Sequence, residues 1–245
     1  MVSKAQGAFV KGRQILDTVL IANEAIDSVL KYNENGIMCK LDIEKAYDNV
    51  DWSFLLTVMQ KMGFGDKWIE WIKWCISTTS FSMMDNGTPK GFFQSSRGLR
   101  QGDPFLPYLF VIAIEVFSSF LKRATDGGFM SGCKVKGRNE EGVQISHLLF
   151  ADDTLVFCQA SQNQLIYLSW LLMWFEAILG LRINLEKSEL IPIGRVENIE
   201  DFSLDFDCRV GSLPSTYLGL SLGAPFKLVS MGDGVEERFR KRLAM

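Results

Sequence analysis

The stretch Gln144-Ile145-Ser146-His147-Leu148-Leu149-Phe150-Ala151-Asp152-Asp153-Thr154-Leu155-Val156-Phe157-Cys158-Gln159 sets two short apolar runs, 144–151 and 154–159, on either side of Asp152-Asp153. Runs of this length read as the arms of a tight β-hairpin with acidic residues at its tip. An isolated Asp-Asp in a hairpin is usually a solvated turn. Its meaning here depends on a second acidic site far upstream. Residues 36–43 read as a short apolar strand that ends in Asp42-Ile43-Glu44-Lys45. Apolar strands ending in carboxylates are costly unless something cationic sits beside them. Oxygen ligands on a rigid sheet suit Mg²⁺, which takes a few carboxylates together with substrate phosphates and water. Two such ions can activate a primer 3′-hydroxyl and stabilise leaving pyrophosphate in an in-line displacement. The pattern therefore predicts nucleotidyl transfer.

Outward from these sites the chain alternates helices and short strands. Residues 14–31 place Ile15, Leu16, Val19, Leu20, Ile26, Val29 and Leu30 at helical spacing, with Asp17, Glu24 and Asp27 for the wet side. Asp51 is placed to cap a helix running to Gly63, and a second helix over 66–77 carries Trp68, Trp71 and Trp74, expected to pack in the core or between helices. Residues 81–96 form a hairpin around Asp85-Asn86-Gly87. Asp103-Pro104 supplies an N-cap and a first-turn proline for an apolar helix to about Arg123, with Pro107 still in that turn. Ser161 and Gln164 form a candidate capping box for a helix apolar almost all round and hence deeply packed. Beyond Gly180 the chain becomes irregular, with strand candidates at 190–193 and 217–222. The fold class is α+β, an antiparallel sheet with carboxylates on its strand ends, backed by helices.

Composition narrows the function. At 245 residues and 47% hydrophobic content the chain can build a real core. A formal charge of −3 argues against a free-standing nucleic-acid binder, so any basic surface must be local or lie outside this chain. Cys39, Cys75, Cys133, Cys158 and Cys208 are scattered and no Cys/His cluster surrounds His147, which argues for a reducing, intracellular compartment without disulfide partners. His147 reads as structural, since a lone histidine lacks the ligands of a metal site. The apolar runs at 106–120 and 165–181 each carry a glutamate and are too short to span a bilayer, so no membrane partner is expected.

Three segments raise the specificity of this reading: Lys40-Leu41-Asp42-Ile43-Glu44-Lys45-Ala46-Tyr47-Asp48, Arg97-Gly98-Leu99-Arg100-Gln101-Gly102-Asp103-Pro104 and Phe150-Ala151-Asp152-Asp153. In this order they resemble the palm segments of reverse transcriptases, especially those of plant LINE-type (non-LTR) retrotransposons. Residues 6–13, Gln-Gly-Ala-Phe-Val-Lys-Gly-Arg, resemble the family's fingers-side motif. Gly180-Leu181-Arg182-Ile183-Asn184 with Lys187-Ser188 resembles its post-catalytic motif, and Tyr217-Leu218-Gly219-Leu220 its primer grip. The resemblance implies a polymerase palm at 37–223 with a partial fingers segment at 1–36 and a truncated C-terminal extension, the start of a thumb, at 224–245.

It further implies that Asp42 and Asp152 are metal ligands with Asp153 beside them, for two Mg²⁺ ions or Mn²⁺ in their place. Tyr47 would crowd the sugar 2′ position and favour dNTPs, the alternative being that it only packs for bulk. Gln101 and Gly102 would lie against template and nucleotide, although Gly102 also suits a simple helix-entry turn. Arg13, Arg97 and Arg100 are candidates for phosphate or template contact, against solvated charges as the default. Lys187 would protonate departing pyrophosphate, or serve only as a surface charge. Tyr217, Leu218 and Gly219 would grip the primer. The implied partners are an RNA template, a DNA primer and dNTPs, and the implied compartment is the nucleus or cytoplasm.

Two features depart from the pattern. Phe105-Leu106 stands where the family has Leu-Ser, and the upstream basic motif, an endonuclease domain and a full thumb are expected to be missing. These favour a rival reading, a catalytically silent remnant acting as a binding module. A different palm enzyme, such as an RNA-dependent RNA polymerase or a nucleotide cyclase, is disfavoured by Tyr47 and by Tyr217-Leu218-Gly219.

Overall fold

β1 (Gly36–Leu41) is apolar at nearly every position, and a strand without a polar face belongs inside a sheet covered on both sides. A computed structural model describing residues 2–100, 102–135 and 142–224 places it there. Before it runs α1 (Ile15–Lys31); after it come β2 (Ile43–Glu44), α2 (Trp52–Lys61), α3 (Asp66–Ser77), and the hairpin β3 (Ser80–Asp85) and β4 (Thr88–Gln94). Next are α4 (Leu106–Asp126), β5 (Cys133–Val135), β6 (Val143–Ile145), β7 (His147–Phe150), β8 (Asp153–Gln159) and α5 (Gln162–Leu179). The described chain closes with β9 (Arg182–Ile183), β10 (Glu189–Ile193), α6 (Ile199–Phe206), β11 (Arg209–Val210), β12 (Ser215–Tyr217) and β13 (Leu220–Leu222). Gln101 and, in the expected C-terminal extension, everything from residue 225 onward lie outside the described residues.

The main sheet has the order β11-β10-β1-β8-β7, antiparallel except for the parallel pair β10 and β11. Alternation along its strands divides two cores. Ile37, Cys39 and Leu41, with Val156, Cys158, Leu149 and Leu190, join the cluster built by α2, α4, α5 and α6. Met38, Leu148, Leu155, Phe157, Ile191 and Ile193 face the opposite way, onto Val19, Ala22, Ile26 and Val29 of α1 and onto Tyr217 and Leu222. Full burial of one such side chain contributes about 1.5–3 kcal/mol. Because α1 shares a core with the sheet, the segment expected to flank the palm is packed directly on it.

Local chemistry fixes several boundaries as expected. Asp51 caps α2 by accepting from Phe54 N at 2.8 Å, and Asn86 and Gly87 both take positive φ in the two-residue turn between β3 and β4. Elsewhere the structure corrects the reading. The strand expected over 36–43 breaks after Leu41, and Ile43 and Glu44 pair with β9 in a separate ladder. α4 begins at Leu106 because the Asp103 carboxylate accepts from Phe105 N at 2.8 Å, closing a turn ahead of the helix that contains Pro104. Ser161 does precede α5 but makes no cap bond; the Gln164 side chain is drawn away, its Oε1 accepting from Ser131 N and Gln159 N at 3.1 Å each. α6 lay unnoticed in the segment expected to be irregular.

The apolar faces also differ from expectation. α1 turns Thr18, Val19, Ala22, Ala25, Ile26 and Val29 inward, small residues that let it lie close to the sheet, and leaves Ile15, Leu16, Leu20 and Leu30 exposed. In α3 the packed stripe is Ile69, Ile72 and Ile76, so the tryptophans fall outside it: Trp71 is 66% and Trp74 67% exposed. α5 buries Leu165, Leu168, Leu172, Phe175 and Leu179 on one side only, leaving Trp170, Met173 and Trp174 in solvent. Among the described residues no helix is long and apolar enough to cross a membrane.

Candidate active site

β7 and β8 close on the pair Phe150 and Asp153, leaving Ala151 and Asp152 as the two-residue loop. Ala151 is buried with φ 55°, a left-handed conformation that costs a non-glycine residue on the order of 1–3 kcal/mol. Strain is thus held at the base of Asp152. β8 also pairs with β1 in a register matching Leu41 with Thr154, so one further step sets Asp42 opposite Asp153. Like charges so opposed repel. Burial, then Asp152 and also Asp42, push the Asp153 carboxyl above the usual range, and Lys40 partly offsets them.

Asp42 is held by the turn that follows β9. Asn184 N donates to its carbonyl at 2.8 Å, and its own N–H donates to Ser188 Oγ at 3.1 Å. Ser188 is fully buried and passes its proton to the Asn184 carbonyl at 2.8 Å, which locks the turn. The same turn brings the Nζ of exposed Lys187 to 3.9 Å from Asp42 Oδ2. Lys40 reaches Glu189 at the same distance. Neither Lys40 nor the anchoring role of Ser188 was assigned from sequence, although both residues stand in segments that resemble the family's motifs.

Tyr47 is half-buried against Phe110, ring centroids 4.6 Å apart, and burial followed by the charges of Asp152 and Asp153 raises its phenol. Its ring therefore stands within electrostatic reach of the carboxylates. The Tyr47 carbonyl accepts from Leu99 N at 2.7 Å, Val50 O from Gly98 N at 2.8 Å, and Gly98 O from Trp52 Nε1 at 2.6 Å. These bonds lace the Arg97–Arg100 loop to the segment after Asp42. Gly98, not singled out from sequence, has φ +83°, and a Cβ there would meet Asp48 O at 2.4 Å. Gly102 is exposed with φ +96° and open space around it. Arg97 and Arg100 are exposed and line a cleft of about 400 Å³.

Tyr217 is 1% exposed, and its hydroxyl donates to the Asp153 carbonyl at 3.2 Å. Burial and then the Asp153 and Asp152 charges raise this phenol strongly. Leu218 and Gly219 form the β12–β13 turn, both at positive φ. Arg13 is brought elsewhere: its Nη1 donates to the carbonyls of Ser3, at 2.6 Å, and Gln6, bracing the N-terminal loop that runs beside Leu149. His147 is buried between the hydroxyls of Ser118 and Ser146, 2.8 Å from each, and burial lowers it to about 4.

The donor set suits a hard divalent cation. Burial and the neighbouring carboxylates of Asp152 and Asp42 already penalise negative charge at Asp153. Among the described residues no group of three or more His, Cys, Asp or Glu side chains is arranged to hold a metal ion.

Residues 1–222 match the family model described as reverse transcriptase (RNA-dependent DNA polymerase). The chain is 49% identical over 69 residues to an uncharacterized mitochondrial protein of Arabidopsis thaliana, covering 28% of this chain and 54% of that protein. It is 26% identical over 154 residues to a 149 kDa protein of transposon TX1 from Xenopus laevis, covering 63% of this chain and 11% of that protein. It is 22% identical over 163 residues to the Pol polyprotein of the type-1 retrotransposable element R2 from Nasonia vitripennis, covering 66% and 15%. The chain thus spans about half of the Arabidopsis protein and a small part of the other two. Among solved structures, telomerase from Candida albicans with a fragment of telomeric RNA aligns with a TM-score of 0.63 at 12% identity, over 89% of this chain and 33% of that one. Apo telomerase from Candida tropicalis, truncated from its C-terminal domain, aligns with a TM-score of 0.60 at 16% identity, over 89% and 39%. These likenesses show the fold, a polymerase palm.

Proposed function

Because the chain belongs to the reverse transcriptase (RNA-dependent DNA polymerase) family, we propose that it extends a DNA primer on an RNA template with dNTPs, as the polymerase domain of a non-LTR retrotransposon. The R2 and TX1 relatives and the Arabidopsis match support that lineage. The observation that carries the reading is that Asp42 directly follows β1, Asp153 opens the paired strand β8 with Asp152 at the adjoining tip, and burial and both neighbours raise the Asp153 carboxyl.

Reverse transcriptases generally use divalent metal ions; two Mg²⁺ ions, or Mn²⁺ in their place, would supply activation of the primer 3′-hydroxyl and charge neutralisation at pyrophosphate. Asp42 and Asp152 would hold them, with Asp153 tuning the local field. Tyr47, packed on Phe110, forms a rigid wall where a sugar 2′ substituent would lie, which favours deoxynucleotides. Gly102 offers open backbone for close approach of template and nucleotide, together with Gln101. Lys187 is poised beside Asp42 to give a proton to the leaving group. The Leu218-Gly219 turn, tied through Tyr217 to Asp153, would support the primer end.

A second reading, a silent remnant that only binds, has one observation in its favour. Leu106 is buried, so this position offers no hydroxyl where the family has serine. Primer extension on poly(rA)/oligo(dT) with Mg²⁺ and dTTP separates the two. The reading expects extension by the wild-type chain and none by the Asp152→Ala, Asp153→Ala double variant. A folded wild-type chain that extends nothing would move the remnant reading to first place.

A further inference from the structure

α5 has the make-up of an interior helix, but only one of its sides is inside. None of its 18 residues is Lys or Arg, and its one charged side chain, Glu176, is engaged within the fold, accepting from Ile183 N at 2.7 Å. Opposite the buried stripe, Trp170 is 55%, Met173 58% and Trp174 60% exposed, and Ile178 is exposed too. Standing three, four and eight positions after Trp170, the last three share a face with it. Tyr167 extends that face by a turn, its ring 6.3 Å from Trp170, and exposed Phe129 stacks on Tyr167 at 4.7 Å. Exposed apolar residues on α1 and α3 are interleaved with charges, Asp17 and Glu24 on the first, Lys67, Glu70 and Lys73 on the second; those on α5 are not. A helix apolar on every side is ordinarily covered on every side.

What covers it is constrained by chemistry and by area. A lipid surface calls for Lys or Arg flanking the apolar residues, and α5 has neither. At roughly 150–250 Å² for a whole aromatic side chain, the exposed parts of this patch amount to on the order of 600 Å². Two copies face to face would then remove about 1,200 Å² from water, where the range for specific association begins. We infer that α5 pairs antiparallel with α5 of a second copy of this chain about a two-fold axis. A two-fold contact presents the same patch twice, so a face without charge meets no like charge, and the rings and the thioether pack on their own kind. With the axis at Trp174, each Trp174 faces its counterpart, and Trp170 faces Ile178 of the second copy. The contact stands apart from the carboxylates and does not rest on the polymerase reading.

The test is sedimentation equilibrium of the purified chain over a dilution series, with circular dichroism of each variant confirming its fold. Wild-type chain should follow a monomer–dimer equilibrium with no larger species. Trp174→Glu sets two like charges across the axis and should raise the dimer dissociation constant at least about 30-fold, the loss expected at a hot-spot residue. Trp71→Glu, on α3 and 66% exposed, is the matched control and should leave that constant unchanged. Register is read by cross-linking in a Cys75→Ser background, which removes the exposed cysteine and leaves the buried ones. There a short bismaleimide should join Met173→Cys to its counterpart, close to the axis, and should not join Met84→Cys, 69% exposed on β3. A chain that stays monomeric throughout, open-ended aggregates in place of a dimer, equal losses in the two glutamate variants, or no joining at Met173→Cys would each overturn the inference. Failure of primer extension would leave these outcomes untouched, and a monomeric chain would leave the carboxylate reading untouched.

Discussion

Replacing Gly98 by alanine should unsettle the loop that joins the arginine cleft to the segment after Asp42. A Cβ built there lies 2.4 Å from Asp48 O, 2.9 Å from its carbonyl carbon and 3.1 Å from its Cα, and all three are backbone atoms. A left-handed conformation at φ +83° costs alanine about 1–2 kcal/mol. Relieving the overlap requires a retreat of about 1 Å to reach ordinary contact, enough to break Gly98 N to Val50 O and Leu99 N to Tyr47 O, each worth about 1 kcal/mol net. The sum is about 3–4 kcal/mol, or roughly 6–16 °C in melting temperature at about 2–4 °C per kcal/mol for a chain of this size. Gly102→Ala is the matched control: its φ is also positive, at +96°, but no atom lies within 4 Å, so only the conformational cost of about 1–2 kcal/mol applies. Thermal melts and urea titrations of both variants decide the matter. Equal melting temperatures for the two would refute the argument that close backbone approach, beyond torsion, demands glycine at residue 98.

Three more outcomes are expected. Tyr217→Phe removes only the hydroxyl that bonds the Asp153 carbonyl, and should cost about 0.5–1.5 kcal/mol in urea titration. His147 is held near 4 in the folded chain against 6.5 when free, so it stabilises the fold above pH 6.5 and that contribution, about 3 kcal/mol, drains away as pH falls towards 4; His147→Gln should flatten the urea midpoint over that window. Asp153 has a raised carboxyl in the folded chain, so ionisation opposes folding as pH rises from below 3.8 through the raised value. Asp153→Asn should therefore melt higher than wild type at neutral pH without Mg²⁺, an advantage that shrinks on acidification and that a stable wild-type lead would disprove.

What could be read in advance was what short-range chemistry decides. Asp51 caps α2 and Asn86-Gly87 turns the β3–β4 hairpin because a side-chain oxygen or a positive φ acts over two or three residues. The carboxylate hairpin was legible for the same reason, helped by its resemblance to a family. Spacing alone could not show which apolar stripe finds a partner. Leu16 and Leu20 were as plausible as Ala22 and Ala25 until the sheet selected the flatter side of α1. Asp103 and Gln164 followed local rules but were captured by competing bonds, to Phe105 N and to Ser131 N and Gln159 N. The link from Tyr217 to Asp153 joins parts of the chain too far apart for any pattern to show it.

The position of β1 also governs how this molecule comes into being. It is the first strand of the main sheet to be synthesised, yet it occupies the middle, and its neighbours β8 and β10 begin only at Asp153 and Glu189. At the ribosomal pace of about 5–20 residues per second, β1 waits roughly 7–30 s between its own emergence and that of β10. Pairings so distant in sequence carry a loop-closure cost that precedes their reward, which slows folding and leaves an apolar strand open to chaperones or to other chains. Asp42 is thus made more than a hundred residues before Asp153 and the Tyr217 hydroxyl that bonds it.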